Sequence, residues 1–166
     1  MASYSIVCRW NFLVPVGIII ARFYKDGDGA WFRMHRLIQT LASILNIVAF
    51  ITIVAYTENN GDTHFALPHQ ITGLTIFILG VLQPLNGFLR PHKDTDHVST
   101  GRKIWEFAHR WIGRLLVILG IYNINGGMNI TINISAFRVI WIVVIVLLGV
   151  FYSFKEFQKF GRSKRR

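Results

Sequence analysis

Between Ala30 and Tyr56 the chain is almost continuously apolar. As a helix rising 1.5 Å per residue, this stretch is about 40 Å long. The hydrocarbon layer of a bilayer is only roughly 30 Å thick. Within lipid every backbone polar group needs an internal partner, which leaves a helix or a closed barrel as the spanning form. Four more apolar runs accompany this one: Tyr4 to Phe23, Phe65 to Leu89, Ile104 to Asn123 and Ala136 to Phe154, the last being the purest. The expected fold is all-α, a polytopic membrane bundle of about five transmembrane helices with a four-helix core, taken as one domain over residues 1–166. Composition agrees, since 16% of the residues are charged against about a quarter in soluble domains.

The boundaries follow from local chemistry. Phe12 to Ile20 has the length of a signal-peptide core. However, Ala21-Arg22-Phe23-Tyr24-Lys25 offers no small-x-small cleavage site, and the basic residues follow the run. A first transmembrane helix, kinked at Pro15, is therefore expected. Asp26-Gly27-Asp28-Gly29 breaks the chain, and the turn or two after Ala30, through Arg36, is expected at the membrane interface with His35 at its edge. Pro68 suits a helix start, while Pro84 predicts a kink or an early stop. Asn123 to Ser135 is rich in Gly and Asn and reads as a loop, and Lys155 to Arg166 as a basic tail. Cys8 is the one cysteine, so no intrachain disulfide forms, and it reads as a packing residue.

The net charge of +10 sits in clusters between apolar runs, which fits a membrane protein better than a nucleic-acid binder. Arg22, Lys25, Arg33 and Arg36 occupy the first connection, and Arg90, Lys93, Arg102 and Lys103 the third. The second and fourth connections have neither Lys nor Arg. By the positive-inside rule the N-terminus is outside or lumenal and the C-terminus cytoplasmic. Two N-glycosylation sequons, Asn129-Ile130-Thr131 and Asn133-Ile134-Ser135, fall in the fourth, outer connection.

Histidines at hydrocarbon boundaries are costly unless something binds them. The second and fourth segments run in the same direction, and His35 and His109 both stand near their starts, at one membrane depth. His69, at the start of the third segment, lies at the opposite face. Facing imidazoles on diagonal helices suit a planar porphyrin, and bundle cores are where such sites are built. Gly113 and Gly73 follow His109 and His69 by four residues, on the same helix face, where a missing Cβ lets a macrocycle approach. His64, His92 and His97 read as solvated. Zinc fits less well, because the histidines sit on different helices. A basic rim of Arg22, Lys25, Arg36, Arg90 and Arg110, with Arg33 and Lys103, suits an anionic reductant.

Certain motifs follow one another in order: Gly17-Ile18-Ile19-Ile20-Ala21-Arg22-Phe23, Trp31-Phe32-Arg33-Met34-His35-Arg36, Pro68-His69-Gln70-Ile71-Thr72-Gly73, Leu82-Gln83-Pro84, Leu89-Arg90-Pro91 and Trp105-Glu106-Phe107-Ala108-His109-Arg110-Trp111-Ile112-Gly113. Over about Trp10 to Gly127 this set resembles the cytochrome b561 domain, in the variety joined to extracellular DOMON modules in ferric-chelate reductase-like proteins. The resemblance implies heme b, with His35 and His109 as the inner haem's iron ligands and His69 as a ligand of an outer haem. It implies electron flow from cytoplasmic ascorbate to ferric iron or ferric chelates. The outer haem's second ligand belongs before Trp10 in such domains, and no histidine precedes His35 here. The chain is accordingly expected to be a truncated form or fragment without the extracellular modules and the start of the first core helix, or a divergent form with an altered outer site. An oxidoreductase reading competes with a non-catalytic membrane anchor or partner subunit. A homodimer or a partner subunit is the expected assembly. A transporter fits poorly, for want of repeated discontinuous helices.

Overall fold

The computed structural model describes the backbone of residues 2–25, 28–91, 99–130 and 135–163, and the side chains of 12–25, 28–91, 99–129 and 136–162. Its elements are five helices: α1 (Ala2–Phe23), α2 (Ala30–Asn59), α3 (Pro68–Phe88), α4 (Thr100–Ile130) and α5 (Ser135–Ser163). Among the described residues no strand occurs. The side chains of Cys8, Arg9 and Ile130 lie outside what is described, as do His92, Lys93, His97 and, in the sequons, Thr131, Asn133 and Ile134.

α1 packs against α2, α2 against α3, α3 against α4, and α4 returns to α1, so these four close a ring in which α2 and α4 are diagonal. α5 stands outside, against α1. One residue from each ring helix meets at the centre: Val14, Ala42, Ile76 and Leu116 form the buried apolar cluster. Much of the remaining apolar surface faces outward. On α2, Leu37, Leu41, Ile44, Val48 and Ile51 are all exposed, at the three-and-four spacing of one helix face. A helix with its apolar stripe outside and Ser43 buried inside is built for lipid. α2, α3 and the Ala136–Arg162 stretch of α5 are long and apolar enough to cross a membrane, while Phe12–Phe23 of α1 is a shorter apolar stretch. α4 is helical throughout, yet Arg102, Lys103, Glu106, Arg110 and Arg114 crowd its first half and Asn and Gly its second.

Several boundaries differ from the sequence reading. α4 continues through the Gly- and Asn-rich stretch to Ile130, because Ile124 and Met128 are buried there and packing outweighs weak propensity. α5 runs on through the basic tail to Ser163. At that end Arg22 pairs with Glu156 at 2.6 Å, and the Lys155 ammonium lies over the Tyr24 and Phe151 rings at 5.2 and 5.7 Å. Pro84 sits within α3 without stopping it short of Phe88. The third run begins as helix at Pro68, not Phe65. The Gln70 side chain there accepts hydrogen bonds from the Ala66 and Leu67 amides, satisfying donors at the start of the helix.

Candidate functional site

On one side of the central cluster, His35 of α2 and His109 of α4 face each other. Their ring centroids are 6.4 Å apart and their planes nearly perpendicular, at 79°. His35 Nδ1 donates to the Gly17 carbonyl at 2.8 Å. A carbonyl only accepts, so the proton is on Nδ1 and the Nε2 lone pair is free for a ligand. His109 is held otherwise: its ring stacks on Trp105 at 4.9 Å and 9°. The Trp105 indole N–H donates in turn to the backbone and side-chain oxygens of Asn86 on α3, at 3.1 and 3.0 Å.

A cavity of about 240 Å³ opens beside the pair. Gly87 and Gly113 both line it, and a Cβ built on either would meet nothing within 4 Å, so the missing side chains leave room on the cavity wall. Of the rim named from the sequence, Arg22, Lys25, Arg36, Arg90 and Arg110 line the same cavity, while Arg33 and Lys103 do not. Arg36 lies over the Phe32 and Phe88 rings at 5.5 and 4.8 Å, and Arg90 over Phe32 at 4.4 Å. Among the described residues neither guanidinium is in an ion pair, and the rings alone hold them in place. Lys25 lies over Trp31 at 5.1 Å; partial desolvation draws its ammonium below the ordinary lysine value, with Glu106 opposing that shift and Arg110, Lys159 and Arg22 adding to it.

Sequence reasoning missed some of the residues that build this site. Arg102 is 4% exposed, donates to the Pro91 carbonyl at 2.6 Å and to Glu106 at 2.7 Å, and lies over Trp105 at 5.8 Å. Glu106 also pairs with Arg110 at 3.2 Å. The signal was there in the spacing of Arg102, Glu106, His109 and Gly113, one face of a helix. Gln83 donates to the His109 carbonyl at 3.1 Å, and Gln39 to the Val14 carbonyl at 3.2 Å.

His69 is elsewhere. Its Nδ1 donates to the Asn123 carbonyl at 2.9 Å, and Asn123 lies roughly 20 Å along α4 from His109 at 1.5 Å per residue. Its imidazole lies against α4: a Cβ on Gly127 would come within 2.7 Å of His69 Cε1. Gly73 faces the Asn123 side-chain amide, 3.3 Å from where its Cβ would be. His64 pairs with Glu58 at 2.9 Å, beyond the start of α3.

Among the described residues no group of three or more His, Cys, Asp or Glu side chains gathers to hold a bare metal ion. A bis-histidine haem, one of several ways in which haem iron is held, would take its ligands from two imidazoles. With metal–imidazole bonds of about 2 Å, two rings on opposite sides of one ion hold their centroids roughly 6 Å apart. The His35–His109 separation and the glycine-walled cavity beside it fit that demand.

These features define a polytopic helical membrane protein with a histidine pair in its bundle core. The eukaryotic cytochrome b561 family model matches residues 16–134, and the chain belongs to that family, whose members carry electrons across membranes through haem b. It is 33% identical over 174 residues to a cytochrome b561, DM13 and DOMON domain-containing protein of Arabidopsis thaliana, covering 99% of this chain and 19% of that one. A cytochrome b561 and DOMON domain-containing protein of the same plant is 37% identical over 121 residues, 73% of this chain and 31% of that one. Ferric-chelate reductase 1 of Mus musculus is 28% identical over 129 residues, 73% of this chain and 21% of that one. The chain thus spans about a fifth to a third of these relatives, over their b561 part. No solved structure matches it.

Proposed function

We propose that this chain is the membrane electron-transfer unit of a ferric-chelate-reducing system, with one haem b held between His35 and His109. The observation that carries this reading is the facing of those two rings at 6.4 Å beside a cavity walled by Gly87 and Gly113. Bound there, haem b supplies a one-electron Fe(III)/Fe(II) couple. His35, its tautomer set by the Gly17 carbonyl, presents Nε2, and His109 does so from the opposite helix. Arg22, Lys25, Arg36, Arg90 and Arg110 gather positive charge at the cavity and attract an anionic donor such as ascorbate. By the charge pattern this end faces the cytoplasm and the N-terminus lies outside. His69, with Nδ1 spent on Asn123, would offer Nε2 as one ligand for a second haem at the far end, where ferric iron or its chelates would be reduced.

The test is haem stoichiometry on the purified chain by pyridine haemochrome, with ascorbate reduction followed optically. Haem that disappears in both H35A and H109A and is reducible by ascorbate supports the reading. Intact haem in both variants overturns it. A haem-free wild-type chain favours a membrane anchor or partner subunit instead.

A further inference from the structure

The three histidines differ in what their Nδ1 meets. Nδ1 of His35 and Nδ1 of His69 each donate to a backbone carbonyl, of Gly17 and Asn123 respectively. His109 Nδ1 is buried, and among the described residues it has no hydrogen-bond partner. An unpaired buried imidazole N–H costs about 1–3 kcal/mol, so a ligand histidine held this way is incomplete. One other orphan stands beside it. Gln83 of α3 donates its amide N–H to the backbone carbonyl of His109 itself at 3.1 Å, and its Oε1 is buried with no partner among the described residues. The carbonyl of His109 only accepts, which fixes the Gln83 amide with its NH₂ on that bond and its oxygen unspent. A donor lacking an acceptor and an acceptor lacking a donor thus belong to two residues already bonded to each other.

We infer that Gln83 Oε1 is the acceptor for His109 Nδ1–H once haem is bound, making Gln83 a positioning residue that sets the tautomer and basicity of one axial ligand. This rests on the proposed His35–His109 haem. The bond that Gln83 already makes to the His109 carbonyl anchors its amide at that residue, while the Trp105 ring stacks on the imidazole. The two axial ligands are then tuned differently. His35 is bonded to a backbone oxygen that mutation cannot remove. His109 is bonded to a side chain that can be exchanged. A ligand N–H bonded to a stronger acceptor donates more electron density to iron and favours the ferric state.

The experiment uses the purified full chain in lipid nanodiscs, as wild type, Q83L and Q83E, with H109A as the control for the parent reading. In the ferrous low-spin state, nuclear magnetic resonance with ¹⁵N-labelled histidine reads the Nδ1–H of each axial ligand, and a redox titration reads the potential. Q83L is expected to move one axial Nδ1–H resonance upfield, leave the other in place and favour the ferrous form about tenfold, or about 59 mV for a one-electron couple. Q83E is expected to move the same resonance downfield and shift the potential the opposite way, which keeps the test open if Q83L misfolds. Haem retained in H109A overturns the parent reading. Haem lost in H109A, with neither axial resonance or with both moved equally in the Gln83 variants, overturns the role of Gln83 alone.

Discussion

On one side of the Val14–Ala42–Ile76–Leu116 layer, two imidazoles from diagonal helices face each other beside an open cavity. On the other, a single imidazole lies on the backbone of α4, so near Gly127 that even a methyl group would collide with it. Both ends use glycine, but to opposite purpose. At Gly87 and Gly113 the missing Cβ leaves space unfilled, whereas at Gly127 it admits the protein's own side chain. Gly73, the glycine four residues after His69, meets the Asn123 side-chain amide instead, so that spacing alone does not mark a place for a flat ring.

Substitutions can break this contrast, the strongest first. H35A or H109A should abolish the low-spin absorbance of the haem between them, while H69A should leave most of it; optical spectra of purified protein check this. G113L fills the cavity wall and should remove most of the haem while circular dichroism shows unchanged helix content. At the other end G127V forces the His69 ring to move. Overpacking of that kind costs about 1–3 kcal/mol, so thermal unfolding should shift downward while the His35–His109 spectrum stays. W105L removes the ring stacked on His109, an interaction of about 1 kcal/mol, and should weaken haem retention roughly fivefold in a transfer assay to an apoprotein acceptor. R22A, which frees α5 from α1 at Glu156, should be smallest: half-exposed ion pairs contribute about 0.2–1 kcal/mol, visible only as slightly faster proteolysis near the C-terminus.

The pairing of His35 with His109 was legible because helix direction and depth follow from hydropathy and charge alone. The ring order of α1 to α4, with α5 outside, agrees with the expected four-helix core. The course of α4 beyond Asn123 was not legible. Asn125, Gly126, Gly127 and Asn129 are poor helix formers by local propensity, and what keeps them helical is non-local: burial of Ile124 and Met128, and the fit of His69 on Gly127. Nor did the basic composition of the tail show that α5 continues, since its anchor, Arg22, is 134 residues away from Glu156. Gln83 and Trp105 stand in recognisable motifs and Asn86 in none, but their bonds to α4 or α3 partners depend on how two helices are set side by side. Spacing along one chain segment carries no such information.

The central apolar layer has an electrical consequence. The layer of Val14, Ala42, Ile76 and Leu116 carries no polar side chain of its own, so in the proposed function the charge that crosses it is an electron. Such a transfer is electrogenic. Each electron traversing the full membrane field gains or loses about 2.3 kcal/mol per 100 mV, so the membrane voltage itself becomes part of the driving force for turnover.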